Sequence, residues 1–492
     1  MIRNISILFF TLLQAFAIQA QSSFIFHIAT SQDETIFGSI EDRNGNFVAV
    51  GEVSNYYWGT IREGFILVFD NSGTILKQIP ISSPYTFVVA VNIFQKDNNN
   101  YLVFGHVMKN EKREIFVYEY DTDFNKIKSK YFTLPISNQI ENMSIMRNHR
   151  NNIVVCGSLE SDTTGRAVMP FFIEMTQNTD SVSAKYYSYP KVNWNQVFSI
   201  IEKPAKNGYY GLGFGFDNGG GKVLDIDSTL EIKSFKSIPE DIHNWGTIKS
   251  WSDTSYILTG KKNIGKKSKD QNDAIMCVIL DTAHNILHEK MFDAPDTASV
   301  PGIWSSMDFI DRNNIFFGGT VGFTYSYFYL GLYSFIITAK TDSFLNTKWE
   351  KFYGGDACYV VTVVQATSNG GFLVFASRYD YLTQDNERDI VILKLDADGN
   401  LPTGVNDLGI KETELFVYPN PGSAQLTVRT AVQAVGGEFR MFDISGKTVL
   451  QTQINERFTN VSTNDLPEGI YLYQYILKGK VKESGKWIKS KQ

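Results

Sequence analysis

Asn46-Phe47-Val48-Ala49-Val50-Gly51 is a turn residue, four apolar residues and a glycine, and the chain writes this pattern seven times. It returns as Asn100-YLVF-Gly105, Asn152-IVVC-Gly157, Gly208-YYGL-Gly213, Ser255-YILT-Gly260, Asn314-IFFG-Gly319 and Gly371-FLVF-Ala376. Successive copies start 54, 52, 56, 47, 59 and 57 residues apart. In the first copy an apolar run, Ile36–Ile40, precedes Glu41-Asp42-Arg43-Asn44-Gly45. Asn-Gly accepts the positive φ angles of a tight turn, so a second strand folds straight back on the first. The closing glycine marks a place where a side chain does not fit.

Each unit continues with a third strand that ends on an acidic turn, FILVFDNSG at 65–73, and a more polar fourth, TILKQIPI at 74–81. The third-strand signal recurs at 115–123, 170–178, 222–229, 276–283, 335–343 and 390–399. The fourth recurs as KIKSKYFTLP, SVSAKYYSYP, EIKSFKSIP, ILHEKMFDAP and LNTKWEKFYGG. Four strands in about 40–60 residues predict a β-propeller blade. One blade cannot bury both of its faces, and radial stacking gives each face a neighbour. The seventh unit runs out at Gly399-Asn400-Leu401-Pro402, so Ser23–Ala29 is expected to supply its missing strand and close the ring. The units resemble the divergent, Asp/Asn/Gly-turned tandem propeller repeats of secreted bacterial proteins. The expected fold is all-β: a seven-bladed β-propeller over 21–403, then a linker at 404–413 and a small immunoglobulin-like β-sandwich over 414–492.

A chain of 492 residues with 14% aromatic residues, 20% charged residues and 38 glycines fits a folded β-rich protein. The net charge of -6, with no Lys/Arg stripe, argues against nucleic acid as a partner. Cys156, Cys277 and Cys358 lie far apart in or near apolar runs and read as buried small hydrophobes. Met1–Ala20 has a basic start, a short apolar core and a small residue at its end, and reads as a secretory signal peptide. No later stretch approaches the ~20 apolar residues of a transmembrane helix.

Binding on propellers concentrates in the second-to-third-strand loops and the blade connections, which share one face. Here those loops hold Tyr56, Tyr57 and Trp58, then Tyr325 and Tyr327, then Tyr379 and Tyr381. Trp245 and Trp304 each stand ten residues before a turn anchor, and Trp194, before a longer turn, is read as their equivalent. A partial ring of indoles near the axis suits stacking on sugar rings or a peptide, and packing between blades is the competing reading. No metalloprotease, nucleophile-elbow or P-loop motif occurs. His284 and His288 flank a predicted turn rather than share a face. Asp42–Asn46 and Asp396–Asn400 faintly resemble calcium loops but sit where hairpin turns are needed. Loop carboxylates such as Glu63, Asp380, Asp385 and Glu387 show no paired spacing. No cofactor and no metal are implied.

Composition changes near the end: residues 411–492 hold 11 Lys/Arg against 8 Asp/Glu. About seven short alternating strands in ~80 residues predict an immunoglobulin-like sandwich. Val417-Tyr418-Pro419-Asn420-Pro421, Phe442-Asp443-Ile444-Ser445-Gly446-Lys447 and Leu466-Pro467-Glu468-Gly469-Ile470-Tyr471, followed by a basic end, resemble in order and spacing the C-terminal sorting domain of type IX secretion cargo in Bacteroidota. The resemblance implies handling by the type IX machinery, removal of the domain, and release or attachment at the outer surface. The favoured expectation is a secreted or surface-attached, noncatalytic binding module for extracellular glycan, protein or cell surface. The alternative is a propeller-type hydrolase or lyase acting on extracellular polymer.

Overall fold

The computed structural model describes residues 23–490 except 56–61, 86, 111, 135–138, 161–167, 188–194, 217–218, 240–241, 243–245, 265–272, 293–297, 323–333, 381–387, 402–411, 414 and 419. The described residues form antiparallel sheets and no α-helix. The first sheet runs Asp33–Glu41, Phe47–Ser54, Arg62–Phe69 and Ile75–Pro80. The second runs Val88–Gln95, Tyr101–Lys109, Lys112–Tyr120 and Lys126–Thr133. The third is Gln139–Arg147, Ile153–Glu160, Val168–Met175 and Ser181–Tyr186. The fourth is Gln196–Glu202, Gly208–Phe214, Gly221–Asp227 and Ile232–Ser237. The fifth is Ile248–Ser252, Ser255–Asn263, Asp273–Asp281 and Ile286–Phe292. In the sixth, a first strand broken into Ser299–Pro301 and Met307–Phe309 precedes Ile315–Val321, Phe335–Thr341 and Thr347–Gly354. Cys358–Ala366, Phe372–Tyr379 and Arg388–Leu395 make the last of these sheets, completed by Phe24–Ile28.

The apolar run after each turn explains how the sheets stand together. Its residues alternate between two neighbours, because strand side chains alternate in direction. Phe47 and Ala49 pack with Leu373 and Phe375 of the last sheet, while Val48 and Val50 pack with Val103 and Phe116 of the second. Leu102 and Phe104 then meet Ile153 and Phe171 of the third. The same sharing continues to Phe316 and Ile336, which meet Val361 and Val374. The stack therefore returns to its start, as in a β-propeller. Phe24–Ile28 seals it: Ile25 pairs with Leu393, His27 Nε2 lies 2.7 Å from Asp389 Oδ2, and Phe26 sits edge-on to Phe69 of the first sheet.

The repeated glycine has a steric cause. The first strand bulges at Phe37, Val91, Phe198 and Thr362, and the glycine or alanine faces the residue just before the bulge: Ile36–Gly51, Ala90–Gly105, Val197–Gly213, Val361–Ala376. A β-carbon on Gly51 or Gly105 would collide with the carbonyl oxygen of Thr35 or Val89. The acidic turns are equally uniform. One carboxylate oxygen accepts the backbone N–H groups two and four residues on at Asp42, Asp70, Asp121, Asp227, Asp281, Asp342 and Asp396. Lysines of the outer strands reach the neighbouring sheet's turn: Lys77 to Asp123 O, Lys128 to Asn178 O and Lys236 to Ala283 O.

The C-terminal residues form two further sheets, Leu415–Tyr418 with Gln425–Thr430 and Phe458–Ser462, and Gly437–Phe442 with Thr448–Ile454, Gly469–Leu477 and Lys480–Lys489. Phe439, Met441, Tyr475 and Trp487 of one sheet share a core with Leu415, Leu426 and Val428 of the other. Tyr471 donates its hydroxyl to Pro467 O, 2.6 Å away, the corner hydrogen bond of immunoglobulin-like sandwiches. The last two residues of the expected linker are paired with the ring. Glu412 and Thr413 already pair with Tyr353 and Phe352, because the outer strand of the sixth sheet offers them a free edge.

Candidate functional site

The first strands of all these sheets surround a cavity of about 870 Å³. Its wall also takes in Lys203, Pro204 and Lys206, Asp253, and Arg312, which belong to turns between first and second strands. The cavity thus opens at the turn end of the strands, opposite the loop end favoured by the sequence. Trp304 lines it. The broken first strand of the sixth sheet carries Ile303–Ser305 across to the last sheet, where Trp304 N–H donates to Thr362 O (2.8 Å). The indole then reaches Phe37 of the first sheet, ring centres 5.1 Å apart. It is half-buried and packs against the core shared by the first and last sheets while lining the cavity.

Bulges re-aim side chains toward an axis. Phe37 and Phe198 stand at bulges and line the cavity with Phe94 and Trp251, all half-buried. Phe198 therefore holds the bulge position of its blade. Several charged groups of the wall are already paired. Lys249 Nζ meets Asp308 Oδ1 at 2.7 Å, Asp308 Oδ2 accepts Ala366 N–H at 2.9 Å, Lys203 meets Asp225 at 2.6 Å and Arg147 meets Asp97 at 3.0 Å. Glu202 accepts from His149. What remains is a polar well with aromatic faces.

A second constellation lies at the loop end, where third strands start. Arg62 Nη1 donates to Glu52 Oε1 (2.6 Å), while Glu52 Oε2 is buried without a hydrogen-bond partner. Phe87 lies between two guanidinium groups, 4.9 Å from that of Arg62 and 3.4 Å from that of Arg113. Arg113 Nη1 stands 3.3 Å from His106 Nδ1. Nearby, Arg388 N–H donates to Asp33 Oδ1 (2.8 Å). Burial pushes the Glu52 carboxyl up against the opposing pull of Arg62. Burial first, and then Arg113 and Arg62, hold the His106 imidazole well below its usual range. Burial and the Arg62 charge push Arg113 down to about 10. Sequence spacing gave no sign of this group, since its members come from six strands of three sheets.

Of the other expected site residues, Tyr379 is buried at the end of its strand. Trp194, Trp245, Tyr56, Tyr57, Trp58, Tyr325, Tyr327 and Tyr381 lie outside the described residues. The calcium-like loops use their carboxylates for the turn: Asp42 Oδ2 accepts Tyr101 O–H (2.9 Å) and Asp396 Oδ2 accepts Asn400 Nδ2 (2.8 Å). His284 faces Tyr256 and His288 faces Phe344, so the two do not converge. The three cysteines are buried and free.

The C-terminal motif residues are structural pins. Asn420 donates to Lys486 O (2.8 Å) and accepts Ile488 N–H (2.9 Å), fixing the last strand; Pro421 follows it, and Pro419 lies outside the described residues. Tyr418 packs its ring on Phe416. Asp443 accepts the N–H groups of Ser445 and Lys447, and Gly446 takes φ 83° in that turn. Gly469 opens the strand that holds Tyr471.

The architecture is thus an all-β ring of four-stranded sheets followed by a sandwich. Residues 416–490 match the family model described as a secretion system C-terminal sorting domain. That domain marks proteins exported through type IX secretion to the cell surface or the extracellular space, and this chain carries it. No helix among the described residues is long and apolar enough to cross a membrane. No curated protein matches the chain in sequence. Similar solved structures include a protein of unknown function from Dyadobacter fermentans, with 8% identity, a TM-score of 0.46, and coverage of 76% of this chain and 97% of that one. The GH93 α-L-arabinofuranosidase of Fusarium graminearum has 9% identity, a TM-score of 0.41 and coverage of 76% and 97%. The α-L-arabinanase of Penicillium chrysogenum has 9% identity, a TM-score of 0.37 and coverage of 77% and 99%. At these scores the likeness carries neither fold nor activity across.

Proposed function

We propose that the chain is a secreted or surface-held, noncatalytic binding protein: a signal peptide at 1–20, a seven-bladed propeller at 21–403, a linker from 404 and the sorting domain at 414–492. One observation carries the binding reading, the axial well lined by Phe37, Phe94, Phe198, Trp251 and Trp304 among polar and charged groups. Neutral polyhydroxylated ligands suit such a wall, because aromatic faces stack on sugar rings while fixed polar groups orient hydroxyls. Extracellular glycan is the favoured ligand class, with an extended peptide second. Trp194, Trp245 and the loop aromatics Tyr56, Tyr57, Trp58, Tyr325, Tyr327, Tyr379 and Tyr381 are kept as candidate contacts at the opposite end. A glycan and peptide array probed with the full chain tests this. Trp304→Ala and Trp251→Ala are expected to weaken the captured ligand by about tenfold or more; unchanged binding in both would remove the well from the function.

The alternative, a hydrolase or lyase acting on extracellular polymer, is favoured by Glu52. Its carboxyl is buried, shifted up and half unpartnered beside two arginines, as a general acid requires. Turnover of a polymer that disappears in Glu52→Gln, with binding retained, would select this reading over the first.

A further inference from the structure

The outer strand of the sixth sheet differs from the other fourth strands. Those are polar and largely exposed, whereas Trp349, Glu350, Phe352 and Tyr353 are buried. Trp349 and Tyr353 pack against the last sheet, whereas the sorting domain covers Glu350 and Phe352 on the other face. Glu350 and Arg429 are both fully buried, with Arg429 Nη2 3.0 Å from Glu350 Oε1, and Arg457 Nη2 donates to the other carboxylate oxygen. Gln433 Nε2 donates to Glu350 O (2.8 Å). The Phe416 ring stacks on Phe335 at 4.5 Å and meets Phe352 edge-on at 5.2 Å. The Arg429 guanidinium lies 4.7 Å from the Phe352 ring centre.

We propose that this strand is a binding surface for the sorting domain in its own right, so that the domain stays on the propeller after the chain between them is cut. The inference is independent of what the propeller binds. A lone buried ion pair is weak evidence for stability. Here one carboxylate meets two guanidinium groups with defined hydrogen bonds, and an aromatic contact continuous with both cores surrounds it. On the sorting side, Glu412, Thr413, Phe416, Arg429, Gln433 and Arg457 all follow residues 402–411, and their partners all precede them. A cut there leaves every one of these contacts intact.

The test is a full-length chain with a specific protease sequence placed within 402–411, cut to completion after folding. The two fragments are expected to co-elute on gel filtration at low micromolar concentration. Glu350→Gln, and independently Arg457→Gln at the more accessible guanidinium, should speed release by about tenfold or more. Separate elution of the unsubstituted fragments would overturn the proposal. So would co-elution that neither substitution weakens, since the hold would then lie elsewhere.

Discussion

Gly105 has no room for a methyl group. A β-carbon there would press on Val89 O and lie 2.5 Å from Phe116 Cζ, and both are fixed, one by strand pairing and one by the core between the first two sheets. Gly105→Ala should cost about 1–3 kcal/mol by overpacking and Gly105→Val more, read as a lowered midpoint in urea. His106 offers a pH test. Its pKa sits well below 6.5 in the fold, so the unfolded chain takes up a proton that the native state refuses. The stability this contributes is complete above that value and drains away as pH falls below it. Glu52 has the opposite sign: raised from 4.5, it contributes most below that pH and loses its share as pH rises. The melting temperature should therefore fall from about pH 7 to about pH 5, and His106→Gln should flatten that fall. An equally steep slope in the variant would assign the effect elsewhere.

At the scale of the strand, local rules made most of the fold readable. The Asn-Gly turns, the alternating apolar run and the acidic turns each state their own conformation, and the structure forms the expected strands within a few residues. Phe24–Ile28 was legible because the seventh unit lacked a strand and the chain began with a spare one. Its role gives a prediction. Deleting residues 21–30 exposes the edge of Arg388–Leu395 and removes Phe24 and Phe26 from the core, so thermal stability should drop sharply; an unchanged melting curve would refute this closure. The bulges were not legible, because a bulge changes register without changing composition. That is why Phe37 and Phe198 escaped notice. LNTKWEKFYGG carries three aromatic residues, but the partner of its Glu350 lies some eighty residues on, and no local rule names a partner at that distance.

Across the molecule, the address was easier to read than the task. The sorting domain is recognised through motifs that pin turns and strand ends, and such pins must recur wherever the sandwich forms. The well and the Glu52 constellation are instead assembled from residues hundreds of positions apart, each ordinary in its own stretch of chain. The sorting domain sits on the flank of the ring, against an outermost strand, and none of its described residues lines the well. A cargo carried by its side keeps that doorway clear. Were its tail moored to a surface, the ring would stand on edge like a coin, its mouth turned sideways rather than pressed against what holds it.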